Sequence, residues 1–238
     1  MQVTNSILMI RPIQFRMNEQ TKVNNFYQKN DDSELANSVQ IKALNEFNEF
    51  VDKLTLNGVH VIVSSDTKNT DTPDSIFPNN WVSFHKNGDT AVYPMFAENR
   101  RLERSSIVFD LLEQEGYKFN NIIDYTSAEE EAIFLEGTGS MVLDRVNKKA
   151  YCALSPRADE NLFIEFCEDF EYTPVLFYAN QSVNNVRKPI YHTNVMMSVA
   201  ETFAIVCLDC IDDKKERKNV LKHLKEDGKE VLHITEAQ

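Results

Sequence analysis

The sequence repeats one pattern of secondary structure three times, and this repetition constrains the fold more than any single motif does. In each copy, two short apolar strands flank a polar turn, and a helix and another apolar strand follow. The first strands begin near residues 82, 141 and 195. Because one such unit cannot bury its own apolar face, units of this kind stack against one another in closed or propeller-like arrays.

The N-terminal segment predicts a further, less regular unit. A strand at Ile7–Arg11 ends at Pro12, a loop follows over residues 16–37, and apolar residues at helical spacing mark a helix at Ser38–Leu56. A buried strand is expected at Val59–Val63. The helices of the three repeats are expected at about 99–115, 159–170 and 213–226. The predicted fold is therefore α/β, with a single domain over residues 1–238.

A turn that carries polar side chains precedes each repeated unit, at Pro73–Trp81, Leu135–Gly139 and Pro189–Asn194. If the repeats surround an axis, these turns converge on it. Glu136 lies between an apolar approach and an apolar exit, in a Gly-Thr-Gly turn that permits unusual backbone angles. Taken alone, Glu136 is equally well explained as an incidental acid in a turn, and the default interpretation of His192 is a core histidine. Their equivalent positions in the repeat favour a functional site.

The charge balance excludes some classes of partner. The chain has 25 basic and 37 acidic residues and a net charge of −12, which argues against nucleic acid and against an anionic membrane surface. Neither a signal peptide nor a run of about 18 apolar residues is recognisable. A soluble, cytoplasmic protein is predicted.

The four cysteines are Cys152, Cys167, Cys207 and Cys210. They are too few for a disulfide framework in a chain of this length. Cys207 and Cys210 form a C-x-x-C, but no second pair completes a zinc site, and the histidines show no ligand spacing. All four are predicted to be small buried side chains within strands and a helix, and no metal is expected.

Three motifs together resemble those of the guanidine-modifying superfamily, which includes arginine deiminases, dimethylarginine dimethylaminohydrolases and amidinotransferases. They are Phe77-Pro-Asn-Asn80, Leu135-Glu-Gly-Thr-Gly139 and His192-Thr-Asn194. The resemblance covers essentially the whole chain and is nearest to the citrulline-utilising hydrolase branch. It implies a five-fold pseudosymmetric α/β propeller (a pentein), hydrolysis of a non-peptide C–N bond, and no cofactor.

The resemblance also implies roles for individual residues. His192 matches the general acid/base, and Glu136 matches the carboxylate that holds the C–N group of the substrate. Asp74 matches a residue that holds the substrate amine. The remaining predicted substrate-binding residues are Phe77, Asn79, Asn80, Arg101, Arg157 and Asn194. Arg101 and Arg157 correspond to positions that bind the substrate carboxylate, although Arg101 also fits a solvated helix position.

Two departures from the superfamily pattern bear on the substrate and on the mechanism. Asn80 and Asn194 stand where arginine deiminases have aspartates, so a neutral, citrulline-like ureido group is expected in place of a guanidinium. The superfamily's nucleophilic cysteine follows a Gly-Gly-x-x-x-Cys stretch that this chain lacks. The last repeat, with its cysteine, is therefore expected to be missing, and the chain as given is expected to be inactive.

Three alternatives remain open from the sequence. The complete protein is a hydrolase of a ureido or guanidino amino acid, or an amidinotransferase in which an amine replaces water. Otherwise the chain binds such a ligand without turnover. An unclosed array would expose apolar edges, so a homo-oligomer is a further possibility.

Overall fold

A computed structural model of the protein describes residues 1–28, 36–66 and 69–237. The chain divides into two units. The N-terminal unit comprises Thr4–Val92 and Ala97–Asp124, and the C-terminal unit comprises Met1–Val3, Tyr93–Phe96 and Tyr125–Gln238. The single domain expected for residues 1–238 stays a prediction.

The N-terminal unit begins with two parallel strands joined through a long helix. Strand β1 (Ser6–Arg11) pairs with β2 (His60–Ser65), and α1 (Ala36–Leu56) lies between them in the chain. Both predicted strands and the predicted helix are confirmed. The predicted loop is confirmed over residues 16–28; residues 29–35 lie outside the described part, and residues 36 and 37 already belong to α1.

The second sheet of the N-terminal unit is the first of the repeated units. Its strands are β3 (Val82–Phe84), β4 (Asp89–Val92) and β5 (Asn121–Asp124). The predicted helix over residues 99–115 is wrong as a single element, because two helices occur there: α2 (Glu98–Arg101) and α3 (Ser106–Gln114). The backbone of Ser105 is extended, and its hydroxyl accepts a hydrogen bond from the Ile107 N–H, so a new helix begins at this cap.

The C-terminal unit contains the other two repeats. The second repeat consists of α4 (Gly137–Ser140), β6 (Met141–Asp144), β7 (Lys149–Ala153), α5 (Glu160–Asp169) and β8 (Thr173–Phe177). The third consists of β11 (Met197–Val199), β12 (Phe203–Val206), α6 (Lys214–Glu226) and β13 (Glu230–His233), and the hairpin formed by β9 (Asn180–Val183) and β10 (Val186–Pro189) precedes it.

The three repeats share one strand topology, which confirms the repetition seen in the sequence. The middle strands β4, β7 and β12 each pair antiparallel with the strand before them and parallel with the strand after the helix. The described strands form separate sheets of two or three strands, with no closed barrel among them. The fold class is α/β as expected, whereas the five-fold propeller stays a prediction.

The β9–β10 hairpin was not predicted. Its turn consists of Asn184 and Asn185, whose φ angles are +50° and +63°. Consecutive left-handed residues form the turn that suits a tight hairpin, and asparagine tolerates this conformation better than most residues do. The Asn-Asn pair was therefore the available signal, although the exposed strands around it lack a clear apolar alternation.

The second and third repeats share an apolar core within the C-terminal unit. Val175 and Phe177 of β8 pack with Ala204 and Val206 of β12 and with Val220 of α6. Burial of aliphatic and aromatic side chains on this scale is the main stabilising contribution in a unit of this size. The core also fixes the frame from which the turns before β6 and β11 project.

Candidate active site

Glu136 is held by its own backbone before its side chain makes any contact. Leu135 forms an isolated antiparallel bridge with Ala158, and the Glu136 N–H donates to the carbonyl oxygen of Arg157 at 3.1 Å. Gly137 follows with φ of +43° and starts the short helix α4. A residue with a Cβ rarely adopts this angle, so the glycine permits the sharp change of direction that buries Glu136 completely.

The Glu136 carboxylate accepts hydrogen bonds from three donors. Oε1 accepts from the backbone N–H of Phe96 at 3.0 Å. Oε2 accepts from Nε2 of His192 at 2.6 Å and from Nη1 of Arg157 at 3.3 Å. A carboxylate surrounded by donors, one of them a permanent cation, is stabilised in its ionised form.

His192 is fixed in one tautomer by this contact. Because the ionised carboxylate has no proton to give, Nε2 must carry the hydrogen of the shared bond, which makes Nδ1 the nitrogen that accepts or releases a proton. The side chain is nearly buried, and the Tyr191 ring centroid lies 4.6 Å from that of His192. A buried imidazole oriented by a carboxylate is a common acid/base arrangement.

The residue after His192 secures the histidine to the second repeat. The fully buried hydroxyl of Thr193 accepts from the Ala153 N–H at 2.8 Å and donates to the carbonyl oxygen of Ser140. The Ser140 hydroxyl in turn accepts from the Glu136 N–H at 3.1 Å and donates to the Arg157 carbonyl oxygen at 2.6 Å. These bonds connect the backbones that carry Glu136, Arg157 and His192.

We expect Thr193→Val to destabilise the folded chain by about 2–3 kcal/mol, because it leaves a buried N–H and a buried carbonyl oxygen without their partner. Urea unfolding at pH 7 measures the change. Thr193→Ser retains the hydroxyl and should recover most of the loss, while Thr202→Val, at an exposed position, should change stability by less than about 0.5 kcal/mol. A Thr193→Val protein as stable as Thr202→Val would show that these bonds contribute little.

Arg157 is buried against Glu136 and not on an open surface. Its side chain is 2% exposed, and its guanidinium carbon lies 4.8 Å from the ring centroid of Tyr191 and 5.7 Å from that of Phe96. Stacking between aromatic rings suits a planar guanidinium. The structure therefore brings together three predicted site residues, Glu136, His192 and Arg157, although Arg157 was predicted for a different contact.

In the N-terminal unit, Asp74 belongs to a separate buried polar cluster. Its Oδ2 accepts from Nδ2 of Asn18 at 2.8 Å and from the Thr21 hydroxyl at 3.3 Å. Asn18 also exchanges hydrogen bonds with the side chain of Asn99. Asn18 was missed in the sequence because it lies in a polar, irregular segment that resembles an ordinary loop.

Arg100, which the sequence analysis did not single out, contacts both Asn80 and Asp74. Nη1 of Arg100 donates to Oδ1 of Asn80 at 2.8 Å, and Nε lies 3.9 Å from Oδ2 of Asp74. Glu103 pairs with Arg100 through two bonds of 2.9 Å each. The only sequence signal was the spacing of Arg100 and Glu103, which places them on the same side of a helical turn.

The remaining predicted residues of the N-terminal unit are more accessible. Arg101 is the half-buried last residue of α2, Asn79 is half-buried, and the side chain of Phe77 is exposed. In the C-terminal unit, Asn194 is exposed although it lies next to buried Thr193. Their roles in binding, like the convergence of the three turns, stay predictions.

All four cysteines are free and buried, as predicted. Cys152 and Cys167 lie in β7 and α5, but Cys207 and Cys210 follow β12 in a 3₁₀ turn, so their placement within a strand was wrong. The two sulfur atoms of this turn are 2.9 Å apart. Burial raises the pKa of Cys152 and Cys210 above the ordinary thiol range and that of Cys167 to about 12, so these three thiols are poor sources of a thiolate.

No group of three or more histidine, cysteine or acidic side chains with metal-binding geometry occurs within residues 1–28, 36–66 and 69–237. Over the same residues, every helix is too short or too polar to cross a lipid bilayer.

Comparison with solved structures identifies proteins with the same fold. ArgZ, an arginine dihydrolase from the ornithine-ammonia cycle in cyanobacteria, aligns in its apo structure with a TM-score of 0.73 and 13% identity, over 98% of this chain and 31% of that chain. AgrE in complex with ornithine and NAD⁺ gives a TM-score of 0.70 and 14% identity, over 98% of this chain and 31% of that chain. This chain thus spans about a third of the length of those two proteins.

A third structure is closer to this chain in length. A variant of dimethylarginine dimethylaminohydrolase, as an adduct with S-methyl-L-thiocitrulline, aligns with a TM-score of 0.63 and 14% identity, over 98% of this chain and 77% of that chain. A search of curated protein sequences gave no match. Among protein families, the model for eukaryotic N,N dimethylarginine dimethylhydrolase matches residues 11–238. The chain therefore belongs to this family, and with it to the guanidino-modifying pentein superfamily.

Proposed function

We propose that this protein acts in the hydrolysis of a non-peptide C–N bond in a ureido or guanidino amino acid. The observation that carries the proposal is the buried pair of Glu136 and His192, joined at 2.6 Å. Hydrolysis at a planar carbon needs an acceptor that orients N–H groups of the substrate and a base that moves a proton. Glu136 supplies negative charge for the first task, and Nδ1 of His192 supplies the second.

A ureido group suits the predicted contacts better than a guanidinium does. Asn80 and Asn194 replace aspartates of arginine deiminases, and a buried cation deprived of its carboxylates loses several kcal/mol of favourable interaction. A ureido group is neutral and carries both donors and an acceptor oxygen, which an amide side chain can match. Cleaving its bond to the side-chain nitrogen with water yields ornithine and carbamate, and carbamate decomposes to ammonia and carbon dioxide.

The amino-acid end of the ligand is assigned to charged residues. Arg101 and Arg157 are proposed to bind its carboxylate, and Asp74 its amine. Arg157 makes an ion pair with Glu136, whereas Arg101 is half-buried at a helix end, so Arg101 is the first of the two arginines to test. Structures of AgrE contain L-arginine and ornithine, which supports an amino-acid ligand. Phe77 and Asn79 complete the proposed binding residues.

A second candidate function is ligand binding without turnover. Its support is the burial of all four cysteines, since the superfamily's nucleophile is a cysteine thiolate. Under the first proposal, the nucleophilic thiolate is not that of any of these four cysteines. Under the second, the Glu136–His192 pair only binds the ligand.

Calorimetry and a product assay on the same protein separate these proposals. We expect L-citrulline to bind at least tenfold more tightly than L-arginine, because a cation would lose its carboxylate partners. L-norleucine, which lacks the C–N group, is the control and should not bind measurably. Release of ornithine and ammonia supports the hydrolase and overturns the expectation that the chain as given is inactive, whereas binding without products supports the second candidate for the chain as given. If arginine binds as tightly as citrulline, or neither binds, the ureido proposal is wrong.

A further inference from the structure

The amide of Asn80 has only one possible orientation in the N-terminal unit. Nη1 of Arg100 lies 2.8 Å from Oδ1 of Asn80, and both side chains are almost completely buried. A guanidinium carries only donors, so the amide must present its oxygen to Arg100. The Nδ2 group on the same carbon is consequently directed away from Arg100, with its hydrogens available to a different acceptor.

Arg100 is itself held in place by several acceptors. Glu103 accepts from Nε and from Nη2 at 2.9 Å each. Nη2 also lies 3.4 Å from the carbonyl oxygen of Phe77 and 3.5 Å from that of Asp74. A guanidinium bound in a fork by a carboxylate has little freedom to rotate. Asn80 therefore faces a donor of fixed position.

The positive charge of Arg100 beside Asn80 is compensated without help from a ligand. The Arg100 cation is in direct contact with the Glu103 carboxylate, and the Asp74 carboxylate lies 3.9 Å from Nε. In addition to the missing aspartate charge, Asn80 therefore selects its ligand through its hydrogen-bonding pattern. A group that only donates would meet the Nδ2 hydrogens donor to donor, whereas an oxygen would accept from them.

We propose that Arg100 is a positioning residue that fixes Asn80 as a hydrogen-bond donor towards the ligand, and thereby selects a ureido oxygen over a guanidinium. This inference rests on the proposed function, since it takes the ligand to be a ureido or guanidino amino acid that contacts Asn80. Arg100 does not itself touch the ligand. Its effect on selectivity comes from the direction in which it turns the Asn80 amide.

Two variants of Arg100 test the inference through the ratio of affinities. In Arg100→Gln the new side chain can donate or accept, so Asn80 is free to turn, and we expect the preference for L-citrulline over L-arginine to fall about tenfold. Arg100→Lys keeps an obligate donor and should retain the preference within about threefold. Lys86→Gln removes an exposed charge of the same unit and should leave the ratio unchanged. Calorimetric titration of the full chain with each amino acid provides the values.

A purely structural role for Arg100 would lower both affinities and leave their ratio unchanged, and this result would overturn the inference while the ureido proposal stands. If the wild-type protein binds neither amino acid, the proposed function fails and this inference with it. The wild-type protein supplies a second test that does not depend on a variant folding. The side-chain amide resonance of Asn80, identified by its loss in Asn80→Asp, should shift on addition of L-citrulline, and saturation without any shift would contradict the inference.

Discussion

Glu136→Gln is expected to shift the titration of His192 to lower pH by about 1–3 pH units. The carboxylate lies 2.6 Å from Nε2 and favours the charged imidazole. A neutral amide removes that attraction and leaves the nearby Arg157 cation, 3.3 Å from the same oxygen in the wild type, without its carboxylate. Both changes disfavour a second positive charge on His192. NMR titration of the imidazole Cε1–H resonances measures the midpoint, with His192 assigned by its absence in His192→Gln.

The same substitution should lower the free energy of unfolding by about 3–5 kcal/mol, since the buried Arg157 guanidinium loses its ion pair with the Glu136 carboxylate. Glu168→Gln removes an exposed carboxylate from α5 and is the matched control, with an expected change below about 0.5 kcal/mol. A His192 midpoint that stays within a few tenths of a pH unit in Glu136→Gln would show that the carboxylate does not govern the imidazole.

The contacts of Glu136 with His192 and with Arg157 have opposing effects on the basicity of the imidazole. Contact with His192 raises the basicity of the imidazole, while contact with Arg157 takes up part of the carboxylate's charge on the same oxygen, Oε2. A ligand that drew Arg157 towards its own carboxylate would leave Glu136 free to act more strongly on His192. Under the proposed function, binding of the amino-acid end would thus increase the basicity of the group that moves the proton.

The repeated strands, and the approach of the turns that carry Glu136 and His192, could be predicted because each depends on local pattern. Apolar runs around short polar turns specify the hairpins, and residues at equivalent positions of a repeat occupy equivalent positions in space. The partnership of Glu136 and His192 follows from that equivalence, although they are 56 residues apart in sequence.

The contacts that the sequence did not reveal depend on side-chain direction. Arg100 and Arg101 are neighbours with the same chemistry, but one points into the N-terminal unit and the other towards its surface. Residues adjacent in a helix point about 100° apart, and only the packed structure decides which is buried. The ion pair of Arg157 with Glu136 was missed for a similar reason, because it depends on the Leu135–Ala158 bridge between two irregular segments.

Replacing Lys229 by methionine should destabilise the chain by about 3–5 kcal/mol at pH 7. Nζ of Lys229 lies 3.0 Å from Oδ2 of Asp144, and both side chains are fully buried. The ammonium also donates to the carbonyl oxygens of Ala200 and Glu201 at 2.9 Å each, so it connects the β11–β12 turn to the end of β6. Methionine fills similar space but leaves a buried carboxylate without its cation. Urea unfolding followed by circular dichroism gives the difference.

The dependence of this loss on pH separates the ion pair from simple packing. Burial alone would raise the pKa of Asp144, but hydrogen bonds from Asn147 and the Lys229 ammonium outweigh it and hold the pKa below its ordinary value. A carboxyl with a lowered pKa contributes stability that is complete above about pH 4 and is lost as the pH falls below that value. The difference between wild type and Lys229→Met should therefore shrink as the pH falls below about 4, because protonation of Asp144 removes the charge that Lys229 balances. Asp144→Asn combined with Lys229→Met should cost less than the two single changes added together, because the double variant leaves no unpaired charge. Lys218→Met, on the exposed face of α6, should be nearly neutral at every pH. A loss in Lys229→Met that stays constant from pH 7 to pH 3 would assign the effect to packing and not to the Asp144–Lys229 pair.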